Sequence, residues 1–365
     1  MMKEGWVRKK IKDICDKASS NIVQNKVMDN NGDYPLYGAS GFVKCLDFYH
    51  RDEPYIGIVK DGSGVGRVNV YPAYSSLVGT MQYVIPKNGF LLGYIKYVLQ
   101  SLNLAHFASG AAIPHIYFKD YGECTVLIPP LSEQESIVAE LDKLNEILAK
   151  KQEQLKELDR LGLAIFYDMF GDPILNEKNW EMVPFSYVGT FGRGVSKHRP
   201  RNAEKLLGGT VPLIQTGDVA RANMYITEYV STYSEFGVAQ SKIWKSGTLC
   251  ITIAATIGKC AILTFDACFP DSVVGFVANS RVCNEYVYYI FGSIQGVLEE
   301  NAPAVAQKNI NLATLNALKI PLPPLDAQKE FVNKILRIEK QKQKIKQSIV
   351  EVQQLLDYTM NKYFG

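Results

Sequence analysis

The chain is poor in the residues that build metal and disulfide sites. Its 365 residues include four histidines (His50, His106, His115, His198), and no metal-ligand spacing links them. The seven cysteines (Cys15, Cys45, Cys124, Cys250, Cys260, Cys268, Cys283) are odd in number and scattered, and none forms a Cys-x-x-Cys pair. This argues against a zinc site or a disulfide framework and fits a reducing cytoplasm. Charge of one sign is not in large excess: the formal net charge is +3, too small by itself to establish a nucleic-acid partner. Apolar stretches such as 249–265 are too short and too interrupted to span a membrane, and no signal peptide is expected. Hydrophobic residues make up 47% and charged residues 21%, which is ordinary for a soluble protein with room for two cored domains.

Catalytic signatures are missing as well. No GxxxxGK[ST] phosphate loop occurs, and no Asp-x-Lys or Glu-x-Lys, the usual core of a metal-dependent nuclease. Gly62-Ser63-Gly64-Val65-Gly66 loosely echoes a dinucleotide loop, but a strand-like run follows it where a helix should, so it reads as a turn between strands. The stretches Ile128-Pro129-Pro130-Leu131 and Leu322-Pro323-Pro324-Leu325 lack the amide and the aromatic residue with which adenine methyltransferases hold a flipped base. They read as prolines opening helices.

What the chain does have is a repeat. Residues 129–134 read PPLSEQ and residues 323–328 read PPLDAQ, an offset of 194. Each begins about forty helix-patterned residues that end in Phe-Gly, at Phe170-Gly171 and Phe364-Gly365, with the same offset. Duplication predicts pseudo-two-fold symmetry and a target with two halves. Within the first copy, Ile137, Leu141, Leu144, Leu148, Leu155, Leu158 and Ile165 alternate four and three residues apart, a heptad seam. The second copy supplies Phe331, Ile335, Ile338, Ile345, Ile349 and Val352. Lys151 interrupts the first seam, and Lys342 and Thr359 interrupt the second.

Two helices of matched length, each roughly 50–60 Å long at ~1.5 Å per residue, are expected to pair with each other. The plainer reading packs each against its own domain. Charge favours a mixed pair: residues 131–171 carry five basic and nine acidic residues, whereas 325–365 carry eight basic and five acidic. Upstream of each helix lies β-rich sequence. Strands are expected over 55–60, 65–71 and 79–85, and again over 211–216, 248–254, 258–265 and 272–278. A helix follows near 91–103 and near 284–299, then a polar loop at 108–118 and 302–312. Trp6 and Trp180 open the two copies. The predicted architecture is α/β (α+β), with two β-rich globular domains (1–130 and 172–324) and two long antiparallel coiled-coil helices (131–171 and 325–365).

PPL-x-x-Q twice, each with a long heptad helix and a β-rich domain upstream, resembles the specificity subunit of type I restriction–modification systems. The Phe-Gly helix ends and Gly217-Asp218 within VPLIQTGDV match that pattern too. The resemblance covers essentially the whole chain. It implies two target-recognition domains, each reading one half of a bipartite double-stranded DNA site, with the helix pair setting the gap and docking two methyltransferase subunits. It implies no cofactor in this chain: S-adenosylmethionine, ATP and Mg belong to the partner methyltransferase and restriction subunits. Two-fold protein symmetry would map onto half-site spacing. The first domain's GASGF and KDGSGVGRV differ from the second's IAATIGKCAIL, so the target is expected to be asymmetric.

Phosphate contacts are expected from Lys and Arg, and base contacts from polar side chains on loops. In the first domain the candidates are Lys44, Lys60, Ser63, Arg67, Ser109 and His115. In the second they are Arg193, Lys197, His198, Arg199, Arg201, Thr216, Arg221, Lys259, Gln307, Lys308 and Asn309. Each has an ordinary surface residue as its competing reading. Tyr37 and Tyr74 could also contact DNA, though most of the 21 tyrosines must be structural. Gly217-Asp218 is as well suited to a turn as to DNA. Against a DNA-reading scaffold without catalysis stands a coiled-coil scaffold whose globular domains bind other partners; salt-dependent duplex binding separates the two.

Overall fold

The computed structural model describes residues 4–110, 113–253, 258–300 and 312–365. The chain divides into two compact units, Met1–Glu153 with Lys346–Gly365, and Gln154–Ile345. The division falls inside both long helices. Each unit therefore holds one globular domain and a part of each helix.

Unit 1 opens with β1 (Val7–Lys10), which pairs antiparallel with β9 (Thr125–Ile128) and joins the two ends of the domain. Its main sheet has the order β2-β8-β5-β6, from Cys15–Ser19, Met81–Pro86, Tyr55–Val59 and Val68–Tyr71. A second sheet has the order β4-β3-β7, from Gly41–Leu46, Tyr34–Gly38 and Ser76–Leu77, with β3 and β7 parallel. The expected strands over 55–60, 65–71 and 79–85 correspond to β5, β6 and β8 of the main sheet; β2 and the second sheet were not expected. In the second sheet β3 contains Pro35, β7 has only two residues, and their pairing is parallel between distant segments, so no local alternation marks them.

Unit 2 repeats the plan. β10 (Glu181–Pro184) pairs with β20 (Lys319–Leu322) as β1 does with β9. The main sheet runs β11-β19-β16-β17-β13, from Gly189–Arg193, Val273–Ala278, Leu249–Thr252, Cys260–Leu263 and Tyr225–Ile226. The second sheet runs β14-β12-β18-β15, from Ser231–Tyr233, Leu207–Leu213, Ala267–Cys268 and Ile243–Trp244. Among the described residues, strands β13 and β15 have no counterpart in the sheets of unit 1. The strand expected over 211–216 ends at Leu213, because Thr216–Arg221 turns into a short helix. There Asp218 accepts from the backbone N–H of Gln215, while the Gln215 side chain caps in return. Asp218 also accepts from Arg221, so the aspartate of the Gly-Asp pair builds this turn.

The long helices are Leu131–Phe170 and Leu325–Phe364. The first Phe-Gly end has a conformational cause. Gly171 takes φ +75 and its N–H returns to Tyr167, which stops the central helix, since that left-handed conformation costs glycine least. The starts have a hydrogen-bonding cause. Gln134 is 1% exposed; its amide N–H donates to Pro129 C=O, and its carbonyl accepts from the N–H of Leu91 at the head of helix Leu92–Ser101. Gln328 does the same with Pro323 C=O and the N–H of Cys283, and also donates to Arg281 C=O. The glutamine of PPL-x-x-Q thus satisfies buried backbone groups of two elements at once, the helix start and the domain beside it.

Both readings of the helices hold together. In unit 1, Ile137 and Leu141 are buried in the domain core with Tyr94 and Tyr97, and Leu356, Met360, Tyr363 and Phe364 pack on that core. Tyr363 donates to Glu140. In unit 2, Phe166 and Phe170 pack on Phe331, with Ile335 and Ile338 in the same cluster. Phe166 meets Phe331 and Asp159 meets Lys342, so the two helices run antiparallel there. Leu144 and Leu148 are buried, while Leu155, Leu158, Ile165, Ile345, Ile349 and Val352 are half-buried. Lys342 and Thr359 interrupt the apolar pattern but not the packing: they are 5% and 2% exposed. Phe166, outside the heptad reading, is fully buried because the helix also faces its domain.

Candidate nucleic-acid interface

In unit 1, two loops meet at one end of the main sheet. The β5–β6 loop begins where Lys60 and Asp61 donate their backbone N–H groups to Thr80. Residues 104–110 and 113–117 lie against it: Gly62 N–H donates to Pro114 C=O, and Ile116 N–H to Lys60 C=O. Ser109 and His115 exchange backbone bonds. Gly66 lies so close to Leu104 and Ala105 that a Cβ would strike their backbone, and Gly62, Gly64 and Gly66 all take positive φ (77, 85 and 87), which is why glycine recurs in this loop. The Arg67 guanidinium folds back onto the carbonyls of Ser63 and Gly64. Lys60, Ser63, Arg67, Ser109 and His115 therefore share one surface.

Lys44 does not join them. It lies on β4 of the second sheet, and its ammonium donates to Met28 C=O and Asn31. Tyr74 is exposed, but it belongs to an aromatic group with Tyr49 and Tyr34. Tyr37 packs on Tyr71 and Phe42. Sequence reasoning overlooked Asp61. Its carboxylate accepts from, or ion-pairs with, His115 Nδ1, and it lies 3.9 Å from the Lys60 ammonium.

In unit 2, the corresponding sheet end carries Arg193 at the close of β11 and Lys259 just before β17. The loop leaving β11 crosses the start of β19, where Gly194 donates to Val273 and Val195 to Phe269. Asp271 holds both arginines of this loop, Arg201 at 2.5 Å and Arg199 at 3.6 Å. Lys197 and His198 donate their backbone N–H groups to the Gln240 side chain. Ser196 Oγ and His198 Nδ1 are buried with no hydrogen-bond partner among the described residues. Thr216 opens the short helix and Arg221 closes it; that helix packs on β16 and β17. Its Val219 and Ala220 line a cavity of about 370 Å³ together with Lys259, Asp159 and Lys342. Gln307, Lys308 and Asn309 lie outside the described residues. Sequence reasoning also overlooked Asp271 and Gln240, since nothing local marks a residue that organises a loop distant in sequence.

Among the described residues, no group of three histidine, cysteine or acidic side chains is placed to hold a metal ion. Among them too, no helix is long and apolar enough to cross a membrane. The buried thiols are held in their neutral form by desolvation, Cys15 and Cys260 up to about 12 and Cys250 higher still.

The fold therefore defines a duplicated α/β protein with one cationic loop cluster per unit. Its sequence matches the family described as the type I restriction modification DNA specificity domain over residues 3–159 and 177–354, and the chain belongs to that family. It is 23% identical over 249 residues to a protein of Methanocaldococcus jannaschii described as a type I restriction enzyme MjaX specificity subunit; the match covers 63% of this chain and 57% of the relative. It is 23% identical over 318 residues to a Haemophilus influenzae protein described as the specificity subunit S.HindORF215P, covering 83% and 79%. The crystal structure of a type I restriction–modification S subunit from M. genitalium has the same fold, with TM-score 0.64, 14% identity, and coverage of 99% of this chain and 96% of that one. A chain from a structure on assembly and conformational transition of the type I system gives TM-score 0.59 at 16% identity, covering 100% and 98%.

Proposed function

We propose that this chain is the DNA-reading subunit of a type I restriction–modification enzyme. In this reading each globular domain recognises one half of an asymmetric bipartite site. The observation that carries it is the repeated domain plan: in both units, cationic and polar loops gather at the corresponding end of the main sheet. Lys60 and Arg67 in one unit, and Arg193, Arg199, Arg201 and Lys259 in the other, would grip phosphates, while the polar side chains between them would read base edges. The loops differ in chemistry, an Asp–His pair in one and an arginine pair on Asp271 in the other, which favours two different half-sites.

The helix pair would set the gap between the half-sites and dock two methyltransferase subunits. S-adenosylmethionine would bind in those partners, and ATP and Mg would act through restriction subunits in the larger assembly. This chain would contribute recognition and no catalysis of its own.

The test is to co-express the chain with its methyltransferase subunit and map methylated adenines across the host genome. A single bipartite motif with a fixed gap is expected. Duplex affinity should also fall steeply with salt, as phosphate contacts release counterions. Absence of a complex and of any motif would overturn the reading.

A further inference from the structure

Asp61 is out of place on a surface built to hold phosphate. Lys60 and Arg67 share its loop, and a carboxylate among them weakens their pull on a polyanion. Yet its position is built with care. Its backbone N–H is tied to Thr80 C=O, and its carboxylate to His115 Nδ1 on the facing segment. The next residue, Gly62, is clamped to Pro114. His115 is itself fixed by two backbone bonds to Ser109 and by its ring against Tyr117, 4.1 Å between centroids. Asp61 and His115 side chains are each 26% exposed, so the carboxylate is both anchored and accessible. A carboxylate gains on a DNA surface only where it meets a donor. In the major groove that donor is an exocyclic amino group, cytosine N4 above all; guanine and thymine present acceptors there and are repelled.

We propose that Asp61 is a specificity-determining residue of the first domain, accepting a hydrogen bond from a base amino group while His115 holds it in place. The inference rests on the DNA-reading function proposed above and goes beyond it by naming the contact and its chemistry. Pinning two loops together through His115 is the competing role. Asp61→Asn separates the two, because its carbonyl can still accept from His115 while its other terminal atom becomes a donor.

The experiment compares the methylation motif of the whole complex, this chain with its methyltransferase subunit, for wild type, Asp61→Asn and Asp61→Glu. For Asp61→Asn, preference at one base position is expected to fall by roughly ten- to a hundred-fold, the range of one good base contact. The change should be confined to one half-site, with the other half and the gap intact. Asp61→Glu should keep the same base at a lower rate. An Asp61→Asn complex that ranks bases as wild type does at every position, even if slower, overturns the proposal and leaves Asp61 a purely structural role. If Asp61→Asn does not fold, Asp61→Ser, which removes the carboxylate without adding bulk, is read in the same way: a relaxed base position in that half-site supports the proposal, and an unchanged motif overturns it. A wild-type complex with no motif would instead refute the DNA-reading function itself, and the proposal with it.

Discussion

Replacing Lys342 with Met isolates what a buried ammonium does in the helix pair. The Lys342 side chain is 6% exposed; its Nζ lies 2.7 Å from Asp159 on the central helix and 2.6 Å from Glu339 one turn back on its own helix. Burial by itself would push this pKa down. Hydrogen bonds and attraction from the two carboxylates outweigh burial, and the value ends above the ordinary 10.5. The group's folded-state pKa is therefore raised, so its stabilising effect is fully present below 10.5 and is lost as pH rises through the folded value. Removing one partner of a buried ion pair costs about 3–5 kcal/mol. Asp159 is 56% exposed and regains water, whereas Glu339 at 14% is left with little, which puts the cost near the low end, about 3 kcal/mol. For a unit of this size that is a fall of roughly 6–12 °C in the melting transition of the second unit. Differential scanning calorimetry of the full chain at neutral pH would read it. The double variant K342M/E339Q should recover much of the loss, since a buried pair replaced on both sides is often near neutral. The wild type's margin over K342M should shrink above pH 10.5. A K342M protein as stable as wild type, or a double variant no better than K342M, would refute the reasoning.

Gln328→Leu should destabilise by about 3 kcal/mol, because it orphans the Cys283 N–H and the Pro323 and Arg281 carbonyls; denaturant unfolding would read this, and a neutral variant would show that water replaces the amide. Under native conditions a thiol reagent should modify Cys45 well before Cys15, Cys250 and Cys260, whose burial keeps them neutral; mass spectrometry after brief labelling checks the order. The Glu123 carboxyl, held by hydrogen bonds from Lys10 and then Lys12, should titrate near 2. Its stabilising effect is present above its unfolded value and is lost as pH falls through the folded one. Carbon-detected NMR should show the midpoint move back toward 4.5 in Lys10→Ala.

The repeat was legible because its signals are local. PPL-x-x-Q, the heptad spacing and the Phe170-Gly171 end are each set within a few residues by proline, by helical periodicity and by glycine at positive φ. From these came the two long helices, their pairing and the family. Strands β5, β6, β8, β16, β17 and β19 of the main sheets were legible for the same reason, as short apolar runs between turns, whereas β2, β11 and β13 were not.

What remained hidden depends on contacts between residues distant in sequence. The role of Gln134 and Gln328 appears only when the helix start meets the N–H of Leu91 or Cys283. Lys342 looked like a defect in the apolar seam until the fold brought Asp159 within 2.7 Å. The loop surface divides in the same way. Lys44 and Arg67 were equal candidates as basic residues in β-rich sequence, yet the fold places Lys44 against Met28 and Asn31 and gathers Arg67 with Ser109 and His115. The sequence by itself determined the repeat, the helices and the class of protein, because short-range geometry and periodicity write those directly into the chain. Only the tertiary structure decided which charges are buried in pairs and which polar groups share a surface, because burial and hydrogen bonding between distant segments exist only once the chain has folded.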